Sequence, residues 1–179
     1  MASITIISGG LGTGKTTLSK ALAQAEPAGL HFVTDTFYHF PAHPLDPTTE
    51  EAHEQNSTII RAIGRAAAAF AEGGYTVFLD GVVGPWFLPT LVREWNAVAD
   101  VEYLILRATL TEALARVLRR DGPSTQARVY SMHDAFTDLA GYGQHVIETT
   151  GRLPEDVRAE YLDRRQRHEF WLDTRALAS

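Results

Sequence analysis

Gly9-Gly10-Leu11-Gly12-Thr13-Gly14-Lys15-Thr16 is the stretch on which the fold turns. It fits G-x-x-x-x-G-K-[ST] at every fixed position. The β-branched run Ser3-Ile4-Thr5-Ile6-Ile7-Ser8 precedes it. Lys15 to Gln24 follows, with Leu18, Ala21 and Leu22 at helical spacing. The motif therefore sits where a strand turns into a helix. Glycines let the backbone curl so that successive N–H groups face phosphate oxygens. The positive end of the helix faces the same oxygens. Lys15 can reach the β- and γ-phosphates of a nucleoside triphosphate, and the Thr16 hydroxyl can hold Mg²⁺. An ordinary glycine-rich turn explains the glycines but not Lys-Thr at the helix start. Gly10, Gly12, Thr13, Gly14, Lys15, Thr16 and Thr17 are the expected nucleotide-binding residues.

Working outward, strands alternate with helices. Leu30 to Asp35 reads as a second strand, and Pro41, Pro44 and Pro47 punctuate a loop. Thr48 to about Glu72 is helical and alanine-rich, ending at Gly73-Gly74. Tyr75 to Leu79 is a buried strand ending at Asp80, and Pro85 to Trp95 a short helix. Val101 to Arg107 is a fourth strand, with a helix from Thr111 to about Arg120. His145 to Thr149 is a fifth strand, and Pro154 to Ala176 a charged helix with a possible bend. This alternation, with strands apolar along their length, implies a parallel sheet covered on both faces. No internal repeat or linker divides the chain, so 1–179 reads as one α/β domain.

Composition excludes several classes. The 179 residues suit a single domain, and 45% hydrophobic with 21% charged residues is ordinary for a globular protein. A net charge of −6 argues against a nucleic-acid partner, which needs a basic face. There is no cysteine, hence no disulfide, thiolate metal site or thiol nucleophile. No apolar run approaches a membrane span, and the N-terminus does not read as a signal peptide. A cytoplasmic location, without a membrane partner, is the expectation.

Ligands of open α/β sheets bind beyond the carboxyl ends of the strands. Asp35 and Asp80 both stand there. Asp35 can accept the proton of an attacking hydroxyl, or it can cap a turn. Asp80, ending Val77-Phe78-Leu79-Asp80, has the form of an acid that holds Mg²⁺, though it can also serve the acceptor. Thr16 and Asp80 are thus the expected metal residues. Arg116, Arg119 and Arg120 end one helix before the break at Asp121 to Ser124. In a lid over about residues 116–133 they can neutralise a transferred phosphoryl group or stack on adenine. The bland reading is favourable placement at a helix C-terminus. Arg120 is the candidate for catalysis beside Lys15 and Asp35, and Arg116 and Arg119 for nucleotide binding. The region of about residues 36–65, with Phe37, Tyr38 and Phe40, is the expected acceptor site, joined by Trp86 and Phe87. The seven histidines show no metal-ligand spacing. The Glu155–Arg167 run reads as a solvated helix face.

With these residues in place, the chain resembles the P-loop kinases that phosphorylate small molecules. The layout is most similar to chloramphenicol phosphotransferase-like proteins, with shikimate and gluconate kinases more distant. The resemblance rests on Gly9 to Thr16, on Asp35 and Asp80 at strand ends, on Arg116 to Arg120 and on His145 to Thr150. It implies a three-layer P-loop NTPase fold: a five-stranded parallel sheet, order 2-3-1-4-5, flanked by helices and carrying a small lid. It implies ATP and Mg²⁺, with Asp35 at the general-base position. It leads to the expectation of an ATP-dependent phosphotransferase acting on a hydroxylated small molecule, as a monomer or homodimer. The nucleotide-kinase signature D-G-[FY]-P-R is absent, because Val82-Val83-Gly84 follow Asp80-Gly81. A nucleoside or nucleotide kinase is the first alternative, with Arg61 and Arg65 the nearby cations for a second phosphate. A nucleotide-binding switch or accessory ATPase is the second, although no N-K-x-D base-reading motif is present.

Overall fold

The computed structural model describes residues 3–95, 100–139 and 141–178. Five parallel strands form one sheet: β1 (Ser3–Ser8), β2 (Gly29–Val33), β3 (Thr76–Asp80), β4 (Asp100–Arg107) and β5 (Val146–Glu148), in the order β2-β3-β1-β4-β5. The helices are α1 (Lys15–Ala25), α2 (His53–Glu72), α3 (Leu88–Val92), α4 (Leu110–Asp121), α5 (Gln126–Ala135), α6 (Pro154–Gln166) and α7 (Thr174–Ala178). This is the three-layer arrangement that the resemblance implies.

Alternation along the strands divides the core into two layers. Ile4, Ile6, Val77, Leu79 and Ile105 face the layer that holds Ile60 and Ile63 of α2 and Leu88 and Leu91 of α3. Ile7, Phe78, Leu104 and Leu106 face the opposite layer, with Leu18 and Leu22 of α1 and Val157 and Tyr161 of α6. Strands buried on both sides have no solvated face, which is why they read as continuous apolar runs. None of the described helices is long and apolar enough to cross a membrane.

The register lines up the chemistry. Ile7 of β1 lies opposite Asp80 of β3, and Val33 of β2 also lies opposite Asp80. The phosphate loop and both acids therefore leave the sheet at one edge. β2 stops at Val33, shorter than the expected strand, and Asp35 sits in the first turn of a 3₁₀ segment, Thr34–His39. α2 begins at His53 after a 3₁₀ turn at Glu50–Ala52. α5 occupies part of the expected lid, which the sequence pattern left without an assigned element.

The C-terminal region corrects the single helix expected over Pro154 to Ala176. α6 ends at Gln166, and His168 adopts a left-handed φ of 57°. The chain then runs antiparallel to β4: Tyr103 N–H donates to Phe170 O at 2.8 Å and Leu172 N–H to Val101 O at 2.9 Å. The charged face of α6 is not simply solvated. Arg164 donates to the Val146 and Gln144 carbonyls and lies over the Phe170 ring, and Arg165 pairs with Glu102 at 3.0 Å.

Candidate active site

The loop from Gly9 to Gly14 needs its glycines. Gly9 has φ +133°, and a Cβ there would stand 2.1 Å from the Leu106 carbonyl oxygen. Only a residue without a side chain fits that approach to β4. Thr13 and Lys15 both donate to the Gly10 carbonyl, at 2.9 and 2.7 Å, and so tie the loop across itself. Burial lowers the Lys15 pKa to about 8, against the pull of Asp80 and Asp35. Arg120 adds to the lowering, so both acids and Arg120 lie within electrostatic reach of this ammonium.

The two acids differ in environment. Asp80 is 4% exposed, and its Oδ2 lies 2.9 Å from His31 Nε2. Asp35 is exposed on its 3₁₀ turn. The loops that carry them touch: a Cβ on Gly81 would fall 1.7 Å from Thr34 Oγ1 and 2.8 Å from Thr34 Cβ. Ser8 and Tyr103 hold the segment after β3 from beneath, donating to the Val83 carbonyl at 2.7 and 2.8 Å.

Two cavities meet over this edge. The first, about 660 Å³, is lined by the loop from Leu11 to Leu18, by Asp35 and Asp80, and by Arg116, Arg119 and Arg120. The second, about 1000 Å³, lies between the Pro-rich segment, the start of α2 and the inner side of α5. Asp35 and Leu11 line both. The second cavity takes Tyr38, Trp86 and Phe87 of the five expected aromatics, together with Asn56. Phe37 instead stacks on Phe32 at 5.6 Å, and Phe40 is 69% exposed. Burial, with Asp35 beside it, raises the Tyr38 pKa to about 12.

The three lid arginines have different surroundings. Arg116 donates to the Gly12 carbonyl at 3.1 Å and to the Thr149 carbonyl at 3.0 Å, and pairs with Glu112. It joins the phosphate loop to the chain after β5. The Thr149 hydroxyl reinforces that joint by donating to the Thr13 carbonyl at 3.1 Å. Arg120 forks onto Asp121 at 2.8 and 2.6 Å on an exposed face. No hydrogen bond holds the Arg119 side chain among the described residues.

One residue that touches the site carried no sequence signal. His31 meets Asp80 only through the pairing of β2 with β3. Arg128 of α5 lines the larger cavity and Arg152 the smaller. Arg61 and Arg65 line neither of these two, and Arg65 pairs with Glu94 instead. Among the described residues no three Asp, Glu or His side chains are grouped to hold a metal ion. Thr16 and Asp80, together in the smaller cavity, suit a cation that takes its remaining ligands from phosphate oxygens and water.

No family model matches the sequence, and no curated protein matches it. Solved structures do. A sugar kinase of Janibacter sp. superposes over 100% of this chain and 99% of its own, with TM-score 0.67 and 21% identity. A gluconokinase of Sinorhizobium meliloti covers 94% of each chain, with TM-score 0.67 and 13% identity. The tunicamycin resistance protein of Deinococcus radiodurans covers 92% of this chain and 95% of its own, with TM-score 0.62 and 19% identity. At such identities the likeness is one of fold, and it runs the length of the chain. The protein has the fold of the P-loop small-molecule kinases.

Proposed function

We propose that the protein transfers the γ-phosphoryl group of ATP to a hydroxyl of a small molecule. One observation carries the reading: Asp35 lines both the phosphate-loop cavity and the larger cavity beside it. A carboxylate at that junction is within reach of a hydroxyl on one side and a phosphoryl group on the other. Phosphoryl transfer asks little more of a protein than positioning and charge stabilisation.

Each residue then has a role. The loop N–H groups and the Lys15 ammonium hold the β- and γ-phosphates. Thr16 and Asp80 hold Mg²⁺, which supplies charge neutralisation between the phosphates. Asp35 orients the acceptor hydroxyl and takes its proton as the new P–O bond forms and the bond to ADP breaks. Arg119 and Arg120 neutralise charge on the group in flight. Arg116, bound to two backbone carbonyls, keeps the phosphate loop in shape, a role distinct from the nucleotide contact expected of it. The larger cavity carries a single Lys or Arg, Arg128, and neither Arg61 nor Arg65, which favours an acceptor without a second phosphate over a nucleotide substrate.

The test is ADP release from Mg·ATP across sugars, shikimate, nucleosides and hydroxylated antibiotics, with Asp35→Asn beside the wild type. Acceptor-stimulated release should fall by about 10²- to 10⁴-fold in Asp35→Asn while ATP binding persists. Stimulation that survives the substitution would exclude Asp35 as the base. Slow hydrolysis indifferent to every acceptor would favour a nucleotide switch.

A further inference from the structure

The larger cavity is rich in hydrogen-bond acceptors. Asp46 and Glu50 line it, as does Asp35, which it shares with the phosphate-loop cavity. The Thr48 amide and hydroxyl both bind Asp46 Oδ1, at 3.0 and 2.8 Å. Asp46 Oδ2 and the Glu50 carboxylate accept no hydrogen bond among the described residues. Arg128, on α5, is the one lining Lys or Arg, and it lies within electrostatic reach of Asp46. Three carboxylates thus stand against one guanidinium.

A second observation is independent of these charges. Asn56 is 5% exposed and belongs to the wall of the same cavity. Its Nδ2 donates to the Pro47 carbonyl at 2.9 Å, while its Oδ1 has no partner. The Pro47 bond fixes the sense of the amide, since the flipped group would set oxygen against oxygen. A buried carbonyl oxygen left in this way is stabilised by an incoming N–H or O–H donor. Trp86, 51% exposed, adds an aromatic face on which a cation can rest.

We propose that the acceptor is a hydroxylated amine, a cation whose ammonium groups are held by Asp46 and Glu50 and whose nearer N–H or O–H group is bound by Asn56. The inference rests on the phosphotransferase reading and names its substrate class. It disfavours sugar acids and phosphorylated sugars, which would add negative charge to a wall already acidic. The volume of about 1000 Å³ lies at the upper end of small-molecule sites and admits more than one ring.

Kanamycin, maltotriose and gluconate separate the possibilities: a three-ring amine, a neutral trisaccharide and an acid. Binding is measured by calorimetry without nucleotide, then ADP release with Mg·ATP. Kanamycin should bind about tenfold or more tightly than maltotriose, weaken at high salt, and give the greater ADP release; gluconate should do neither. Glu50→Gln should weaken kanamycin by about two- to fivefold and leave maltotriose unchanged. Asp46→Asn should weaken it at least as much, but it also disturbs the Thr48 turn, so Glu50→Gln is the cleaner variant. Asn56→Ala, checked by thermal melting, should weaken kanamycin beyond any loss of fold. Kanamycin that does not bind, or binds no better than maltotriose or gluconate, overturns the proposal. Kanamycin binding without ADP release leaves the ligand class standing and sinks the phosphotransferase reading. ADP release with no preference for the amine does the reverse.

Discussion

His31 Nε2 and Asp80 Oδ2 lie 2.9 Å apart, joining adjacent strands at the carboxyl edge of the sheet. His31 pairs with Phe78 in the β2–β3 register, and Asp80 stands two residues further along the same face. The bond occupies one carboxylate oxygen of a group that lies within electrostatic reach of Lys15. His31→Leu leaves an almost fully buried carboxylate without that partner. We expect ADP release to fall about tenfold, its Mg²⁺ dependence to move to higher concentration, and stability to drop by about 1–3 kcal/mol. His31→Gln, which can place a donor near the Nε2 position, should recover most of the rate. A Mg²⁺ dependence unchanged in His31→Leu would separate His31 from the metal.

Gly81 is the contact point between the two acidic loops. An alanine there would meet both Oγ1 and Cβ of Thr34, so rotating the threonine side chain does not relieve the clash. The neighbouring Asp35 must shift with Thr34. A displacement near 1 Å at a reacting group costs about 10²-fold. Gly81→Ala should therefore lower kcat by about that factor with little change in ATP affinity, which steady-state kinetics and nucleotide titration measure separately.

Arg116 tests whether a lid arginine serves shape rather than catalysis. Arg116→Ala removes donors from the Gly12 and Thr149 carbonyls and leaves Glu112 with only the Gly151 N–H as partner. The expected loss is about 1–3 kcal/mol of stability together with weaker nucleotide binding. Arg116→Lys should restore little, since one ammonium cannot span the same forked geometry. Denaturant melts with and without ATP resolve the two effects. A stable Arg116→Ala protein that binds ATP normally but turns over slowly would instead give Arg116 a direct catalytic role.

His145 gives the fold a dependence on pH. Burial lowers its pKa below the ordinary 6.5, with Arg164 pushing the same way, while the bond to the Tyr103 carbonyl pulls upward. The imidazole is 3% exposed and lies 2.8 Å from that carbonyl through Nδ1. The unfolded chain thus binds its proton more readily than the native one. The contribution to stability is whole above pH 6.5 and is lost as pH falls from there through the native pKa. His145→Asn keeps a donor for Tyr103 without a titrating group. Its stability should decline less between pH 7 and 5 than that of the wild type, as chemical denaturation across pH would report.

Much of the site could be read from sequence because its signals are local. The phosphate loop is a contiguous pattern, and Asp35 and Asp80 follow short apolar strands that mark where the sheet ends. His31 could not be read this way, because its partner is set by strand register rather than by spacing. Arg116 was legible as a site residue, but its bonds to the Gly12 and Thr149 carbonyls were not, since a helix-terminal arginine looks the same whether it faces a nucleotide or a carbonyl. α5 has a single buried residue, Val129, and so offers little apolar periodicity. The break after Gln166 was hidden by charge. Arg164 and Arg167 form i,i+4 pairs that look like a solvated helix, while Arg164 and Arg165 also pin that helix to the sheet.

The crossing of residues 170–172 over β4 has a consequence for how the molecule behaves in company. β5 pairs only with Ile105 to Arg107, so the first half of β4 would otherwise present bare amides and carbonyls to its surroundings. The returning chain answers them at Tyr103 and Val101 and covers the spot with the fully buried Phe170. Removing residues beyond Gln166 would open a second rim on the sheet, apolar on the face of Val101 and Tyr103, that can recruit another strand. Such a shortened protein should associate into sheet-rich aggregates even with every residue of the phosphate loop intact.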